Sequence, residues 1–301
     1  MGAPGRFGAV LCAMTTPFDS DGSLDTEGAA QLARWLVDNG NDGLVLAGTT
    51  GEAPTLTDEE KVELWRAVRE AVGVPVIAGT GTASTPHSVE LTKAAARAGV
   101  DAVLVVTPYY NRPSQTGIEA HFRAIAEASP LPVIAYDIPK RTGRELKAST
   151  LLKLAEEGTI AAVKDATGLP GATAALIARA PAGFEVYCGD DSLTLPLLAV
   201  GAVGVISVAS HWAGPEMCEM IAAFTKGDTE AAQAVNARLV ESWEYQTSDD
   251  APNPVPTKAM LRALGLPAGE CRLPMGPTPP GLEERARLVW ANLRGAGSPS
   301  H

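Results

Sequence analysis

Short apolar runs recur along the chain, separated by longer segments whose apolar residues fall at steps of three and four. The runs at residues 9–13, 43–46, 76–78, 102–106, 133–136, 160–164, 185–188 and 203–206 read as strands, and those between them, such as 26–39, 58–72, 84–98 and 117–128, as amphipathic helices. Several helices open on a cap: Thr57 or Asp58 precedes Glu60, and Ser84 or Thr85 precedes Val89. Eight near-continuously apolar strands, each followed by a helix, predict an α/β fold closed as a parallel (β/α)8 TIM barrel, with an open doubly wound sheet as the alternative. Beyond about Gly227 the strands stop. Residues 229–245, 257–264 and 281–293 read as helices alone, which predicts a barrel over 1–227 and a C-terminal helical region over 228–301. Proline and glycine punctuate that region at Pro252-Asn253-Pro254 and over 274–280, and residues 295–301 read as a disordered tail.

At 301 residues, a single compact chain buries about three-quarters of its unfolded surface. A hydrophobic content of 46%, a charged content of 20% and a mean hydropathy of +0.05 exclude a disordered chain. No apolar stretch reaches the roughly 18–20 residues of a membrane helix, and residues 1–8 lack a basic start followed by a long apolar region, so a cytoplasmic protein is expected. Cys12, Cys188, Cys218 and Cys271 lie far apart with no CxxC, which predicts buried free thiols rather than zinc ligands or disulfides. His87, His121, His211 and His301 show no metal-ligand spacing, so metal catalysis is not expected. A net charge of −11 without a basic stripe argues against nucleic acid. It does not exclude an anionic substrate, because exposed charges are screened beyond about 8 Å and a local arginine dominates inside a cleft.

In a barrel of this kind the active site lies where strands end and loops begin. The predicted strand ends are polar: Gly48-Thr49-Thr50-Gly51-Glu52, Thr107-Pro108-Tyr109-Tyr110, Tyr136-Asp137-Ile138-Pro139 with Arg141-Thr142-Gly143, Lys164, and Gly189-Asp190-Asp191. Burial at a strand tip disfavours the lysine cation. Unperturbed at about 10.4, a lysine is free amine only about 0.04% of the time at pH 7, whereas one shifted to about 7 is half free. Lys164 is therefore the candidate for a Schiff base with a carbonyl substrate; the plain alternative is a loop lysine paired with Asp165. Thr49 and Thr50 offer hydroxyls and N–H groups suited to a carboxylate, against an ordinary capped loop. Tyr136 can relay protons, against an aromatic that merely fills the barrel mouth. Arg141 can pair two carboxylate oxygens, against a solvated loop charge. Gly79-Thr80-Gly81-Thr82 completes no phosphate-binding motif and is set aside.

Taken in order, five segments carry a resemblance: Gly48 to Glu52, Val106-Thr107-Pro108-Tyr109-Tyr110-Asn111-Arg112-Pro113, Tyr136 to Gly143, Val163-Lys164-Asp165-Ala166-Thr167-Gly168 and Gly204-Val205-Ile206-Ser207. Over residues 7–293 the chain resembles the dihydrodipicolinate synthase branch of the pyruvate-dependent class I aldolase family, which also contains N-acetylneuraminate lyase. The resemblance implies that Lys164 forms the Schiff base and that Tyr136, Thr49 and Tyr110 relay protons, Tyr110 in a neighbouring subunit's site. It implies that Thr50 holds the pyruvate carboxylate, Arg141 binds the aldehyde's carboxylate, and Gly189 and Ile206 line the pocket. Asn253-Pro254-Val255-Pro256 matches a family segment. The implied reaction condenses pyruvate with L-aspartate 4-semialdehyde to 4-hydroxy-tetrahydrodipicolinate, on the way to diaminopimelate and lysine, without a metal or organic cofactor, in a homo-oligomer, either dimer or tetramer.

Asp137 departs from the family pattern, where Asn is frequent; alternation along a strand places it on the face opposite Tyr136. The resemblance also sets Ala83, His87, Asp58 and Lys61 where lysine-inhibited members carry Asn, Glu and two His, which predicts insensitivity to L-lysine. Three readings stand at this point: the synthase, favoured by Arg141-Thr142-Gly143; another pyruvate aldolase or lyase acting on a keto-sugar acid; and a barrel that has lost catalysis and only binds.

Overall fold

The computed structural model describes residues 5–295. Eight parallel strands, β1 (Val10–Ala13), β2 (Gly43–Leu46), β3 (Val76–Gly79), β4 (Ala102–Val106), β5 (Val133–Asp137), β6 (Ala162–Asp165), β7 (Glu185–Cys188) and β8 (Gly204–Ser207), close into a barrel in sequence order. Closure is made by β1 against β8, with Val10 opposite Val205, so the open-sheet alternative is excluded. Twelve α-helices accompany them among the described residues: α1 (Thr26–Asp38), α2 (Asp58–Ala71), α3 (Thr85–Arg97), α4 (Gln115–Glu127), α5 (Pro139–Thr142), α6 (Ala148–Glu156), α7 (Pro170–Ile177), α8 (Thr194–Ala199), α9 (Ser210–Thr225), α10 (Thr229–Tyr245), α11 (Val255–Ala263) and α12 (Leu282–Gly295).

The strands are apolar on both faces because both are buried. Leu11, Val45, Ile77, Leu104, Ile134, Ala162, Tyr187 and Ile206 fill the barrel interior. Their neighbours, among them Leu44, Leu46, Val103, Val133 and Val163, face the helices. Helix α1 shows the matching logic: Asp25 caps Gly28 N–H, and Ala29, Leu32, Ala33 and Leu36 form the buried stripe. Each such aliphatic side chain contributes about 1.5–3 kcal/mol when fully buried. Helix α2 opens on the expected capping box, Thr57 with Glu60.

Most boundaries shift by a residue or two from the sequence reading, and at β6 the cause is visible. β6 begins at Ala162, not at residue 160, because the N–H groups of Thr159 and Ile160 both turn back to Leu154 O, at 2.9 and 3.4 Å, and finish the end of α6. Beyond α9, helices α10 to α12 share one apolar cluster with the barrel, running from Val10 and Val205 through Trp212 to Leu239 and Val289. Trp212 Nε1 donates to Ser242 Oγ at 3.0 Å, and its ring meets Tyr245 edge-on. Gly295, the first residue of the expected tail, closes α12 instead, and 296–301 lie outside the described residues. All four cysteines are free thiols, buried except Cys218, which is half-buried. Among the described residues, no helix is long and apolar enough to cross a membrane.

Candidate active site

Strand alternation decides what β6 presents to each side. Ala162 belongs to the barrel interior, so Lys164, two residues on, points the same way, while Val163 and Asp165 face the helices. Asp165 is fully engaged outside: its Oδ1 accepts from Thr167 N at 2.9 Å and Thr167 Oγ1 at 2.7 Å, and its Oδ2 from Thr173 Oγ1 at 2.6 Å. The alternative of a Lys164–Asp165 pair is therefore excluded, and among the described residues no carboxylate forms an ion pair with Lys164. Only 5% of Lys164 is exposed, and burial pushes its pKa down to about 8, opposed by the Asp191 carboxylate. The amine is thus about one-tenth free at pH 7 and half free at about pH 8.

Tyr136 lies opposite Lys164 in the β5–β6 register, and Lys164 Nζ sits 4.5 Å from its ring centroid. Burial pushes the phenol up to about 12, eased by the charge of Arg141 and contact with the Thr49 hydroxyl. Tyr136 is therefore protonated near neutrality and able to donate. The adjacent Asp137 points out of the barrel as expected, its Oδ1 accepting from Leu146 N at 3.1 Å. Burial, with the Asp165 and Glu145 charges adding, lifts the Asp137 carboxyl to about 7.

Beyond β5 the single turn of α5, with Pro139 at its start and Gly143 at φ +70° after its end, brings Arg141 to the barrel mouth. Arg141 is exposed there and lines the same cavity of about 480 Å³ as Thr49, Tyr109 and Tyr136. Thr50 is buried beside it, its Oγ1 accepting from Asn253 Nδ2 at 3.0 Å. Gly189 packs against the lysine stem, where a Cβ would lie 3.0 Å from Lys164 Cγ. Ile206 is buried in the barrel interior. The cavity extends sideways past Glu52, Asp58, Lys61 and His87 to Pro274 and Met275.

Of the residues singled out in the sequence, Lys164, Tyr136, Thr49, Thr50, Arg141, Gly189 and Ile206 thus gather at the C-terminal mouth of one barrel. Tyr110 does not: it is 93% exposed, at φ +70°, and does not line this chain's cavity. Three contributors escaped the sequence reading as individuals. Asp191 is buried and accepts from the N–H groups of Val208 and Ala209 at 2.9 and 3.0 Å; Asn253 touches Thr50; Lys258 pairs with Glu52 at 2.6 Å. Lys258 left one legible trace, a lysine between Val255 and Leu261 on a helix whose other residues there are buried.

A closed parallel barrel with one isolated buried amine, a phenol beside it and an arginine at the mouth defines an enzyme of the class I aldolase type. Residues 6–289 match the model of the Dihydrodipicolinate synthetase family, and the chain belongs to that family. It is 54% identical over 291 residues to the 4-hydroxy-tetrahydrodipicolinate synthase of Moorella thermoacetica, covering 95% of this chain and 97% of that protein. Among solved structures, a dihydrodipicolinate synthase from Bacillus anthracis superposes with a TM-score of 0.92 at 45% identity, over 98% of this chain and all (100%) of that one. The enzyme from Cyanidioschyzon merolae with lysine bound superposes at 0.93 and 44% identity, over 96% of this chain and 99% of that one.

Proposed function

We propose that the chain condenses pyruvate with L-aspartate 4-semialdehyde to 4-hydroxy-tetrahydrodipicolinate, the entry step to diaminopimelate and lysine. The observation that carries this reading is the isolated Lys164 amine, buried with its pKa lowered to about 8 against the ring of Tyr136, which lines a cavity together with Arg141. The neutral amine of Lys164 attacks the pyruvate ketone to give a carbinolamine. Tyr136, in a relay with Thr49, moves a proton from the nitrogen to the oxygen and passes on one more drawn from solvent, so that water leaves and a cationic iminium remains. The iminium draws electrons from the adjacent methyl, which gives up a proton to form an enamine. That carbon attacks the aldehyde carbon, and the aldehyde oxygen takes up a proton. The substrate's own amine then adds to the iminium carbon, closing the ring and releasing Lys164 as the free amine. Thr50 holds the pyruvate carboxylate, Arg141 the carboxylate of the aldehyde, and Gly189 and Ile206 shape the floor.

We also infer a cytoplasmic homo-oligomer, either dimer or tetramer, with Tyr110 completing the relay of an adjacent subunit, and an enzyme insensitive to L-lysine. The testing experiment offers pyruvate with borohydride, then pyruvate with aspartate semialdehyde or a panel of aldoses. One adduct on Lys164 and turnover with the semialdehyde alone are expected. An adduct on another lysine overturns the mechanism, and turnover only with aldoses moves the enzyme to the keto-sugar branch of the family.

A further inference from the structure

The Gly48–Glu52 loop after β2 carries Thr49 and Thr50, yet it is held from the far end of the chain. Glu52 adopts φ +55°, left-handed backbone that a residue with a Cβ enters only at a cost. Gly51, just before it, has no room for a side chain: a Cβ would lie 2.9 Å from Ala47 N and 3.0 Å from Met14 O. What keeps Glu52 there is an ion pair to Lys258 Nζ at 2.6 Å, with the two side chains only 1% and 0% exposed. Both partners have their remaining bonding met by the C-terminal region: Glu52 Oε2 accepts from Arg272 N at 2.9 Å, and Lys258 Nζ donates to Glu270 O at 3.1 Å while lying 4.0 Å from the centre of the Phe18 ring. A buried pair is costly to break from one side, because it leaves an uncompensated charge.

The same helix delivers a second contact. Asn253 stands just ahead of α11, and its Oδ1 accepts from Thr257 Oγ1 at 3.3 Å. That bond leaves the amide nitrogen to face Thr50, whose Oγ1 accepts from it at 3.0 Å. A hydroxyl that accepts from Asn253 keeps its own proton free to donate elsewhere. The direction suits an acceptor, such as a carboxylate oxygen.

We propose that Asn253 and Lys258, both on the α11 segment, are positioning residues for the keto-acid carboxylate: Lys258 locks the loop through Glu52, and Asn253 turns the Thr50 hydroxyl into a fixed donor. This rests on the reading of Thr50 as the carboxylate-holding group and extends it to the residues that orient that group. Lys258 is fully buried and acts through the loop; Asn253 lines the cavity and acts on the carboxylate through Thr50.

The test measures steady-state constants for both substrates in Thr50→Val, Asn253→Asp, Lys258→Met and Lys258→Met/Glu52→Gln, with borohydride trapping at saturating pyruvate to count intact sites. Asn253→Asp is isosteric but replaces the donor by an acceptor, so the Thr50 proton is captured and the KM for pyruvate rises tenfold or more; the KM for the aldehyde and the trapped stoichiometry stay within twofold. Lys258→Met raises the pyruvate KM similarly, and the double variant, which leaves no stranded charge but still lacks the lock, stays raised; recovery there would mean that the stranded charge, not the lost lock, caused the effect. If Thr50→Val raises the pyruvate KM while Asn253→Asp and Lys258→Met do not, the positioning role is wrong and the role of Thr50 stands. If Thr50→Val itself leaves that KM unchanged, the carboxylate assignment is wrong. Should Lys258→Met not fold, Asn253→Asp decides alone.

Discussion

Two acid–base groups make the residue scale quantitative. Lys164 must be neutral to attack, so the rate of imine formation with pyruvate should rise with pH and level off with a midpoint near about 8, read by quenched borohydride trapping across the neutral and mildly alkaline range. Asp191, the charge that most favours the Lys164 cation, holds that midpoint up; Asp191→Asn should move it to lower pH, and an unmoved midpoint would mean that its carboxylate exerts no field on the amine. Asp137 works in the opposite sense. Its folded-state carboxyl, raised to about 7, keeps a proton that the unfolded chain has already released, so stability falls as pH rises from about 4 to about 7 and stays lost above that. Asn in its place still accepts from Leu146 N and never ionises. Asp137→Asn should therefore be more stable than the parent by on the order of 2–4 kcal/mol at about pH 8 and nearly equal near pH 4. Urea denaturation at the two pH values checks this, and coincident curves at the higher pH would refute it. The outward direction of Asp137 was legible from alternation alone, since Tyr136 next to it had to face the mouth. Its load was not, because Asp165 becomes its neighbour only through the β5–β6 register.

Among the elements, legibility followed how local the governing force is. Strands buried on both faces announce themselves as apolar runs, and the capping box of α2 is written in Thr57 and Glu60. The start of β6 was misread because Ile160 is apolar for a different reason: its side chain is buried in the core while its backbone serves the end of α6. Helix α5 is too short for periodicity to show, yet it carries Arg141, the residue proposed to hold the second substrate's carboxylate. Its single turn holds Arg141 at the mouth by backbone geometry, Gly143 N donating to Pro139 O at 2.9 Å, not by side-chain contacts of the guanidinium. Arg141→Lys should therefore leave the turn intact and change only the fork that grips two oxygens. The KM for the aldehyde should rise about tenfold, as losing one charge-assisted bond of about 1.5–3 kcal/mol implies, while pyruvate trapping on Lys164 is unchanged. Loss of trapping with aldehyde affinity intact would reassign Arg141 to the first substrate.

At the scale of the whole molecule, the contacts hardest to read are those between distant segments, such as Asn253 with Thr50 and Lys258 with Glu52, which only the closed fold brings together. The lateral arm of the cavity is a second case. There Asp58 is already occupied, by His87 Nε2 at 2.8 Å and Lys61 Nζ at 3.4 Å, so it has no free charge for a ligand's ammonium group. Half-inhibition by L-lysine should accordingly need well over about 1 mM, an affinity weaker than about 4 kcal/mol, and a steady-state titration with a lower midpoint would mean that this arm still binds it. The last case is Tyr110. Its loop is firmly built, with Asn111 Nδ2 donating to Ala83 O at 3.0 Å and Arg144 Nη2 to Arg112 O at 2.9 Å. Two of its residues, Tyr110 and Arg112, take left-handed backbone at φ +70° and +48°. Strain held in place to expose an aromatic ring at 93% is expected where a second copy covers it. If that copy's site uses the ring, each site draws Lys164 from its own chain and Tyr110 from its neighbour. A hybrid dimer of Tyr110→Phe with Lys164→Ala then contains one complete site and one that lacks both groups. Random exchange makes half the dimers hybrid, so two nearly inactive preparations should recover about a quarter of wild-type activity on mixing. Native mass spectrometry of the mixture verifies exchange, and exchange without recovered turnover would place Tyr110 outside the neighbouring site.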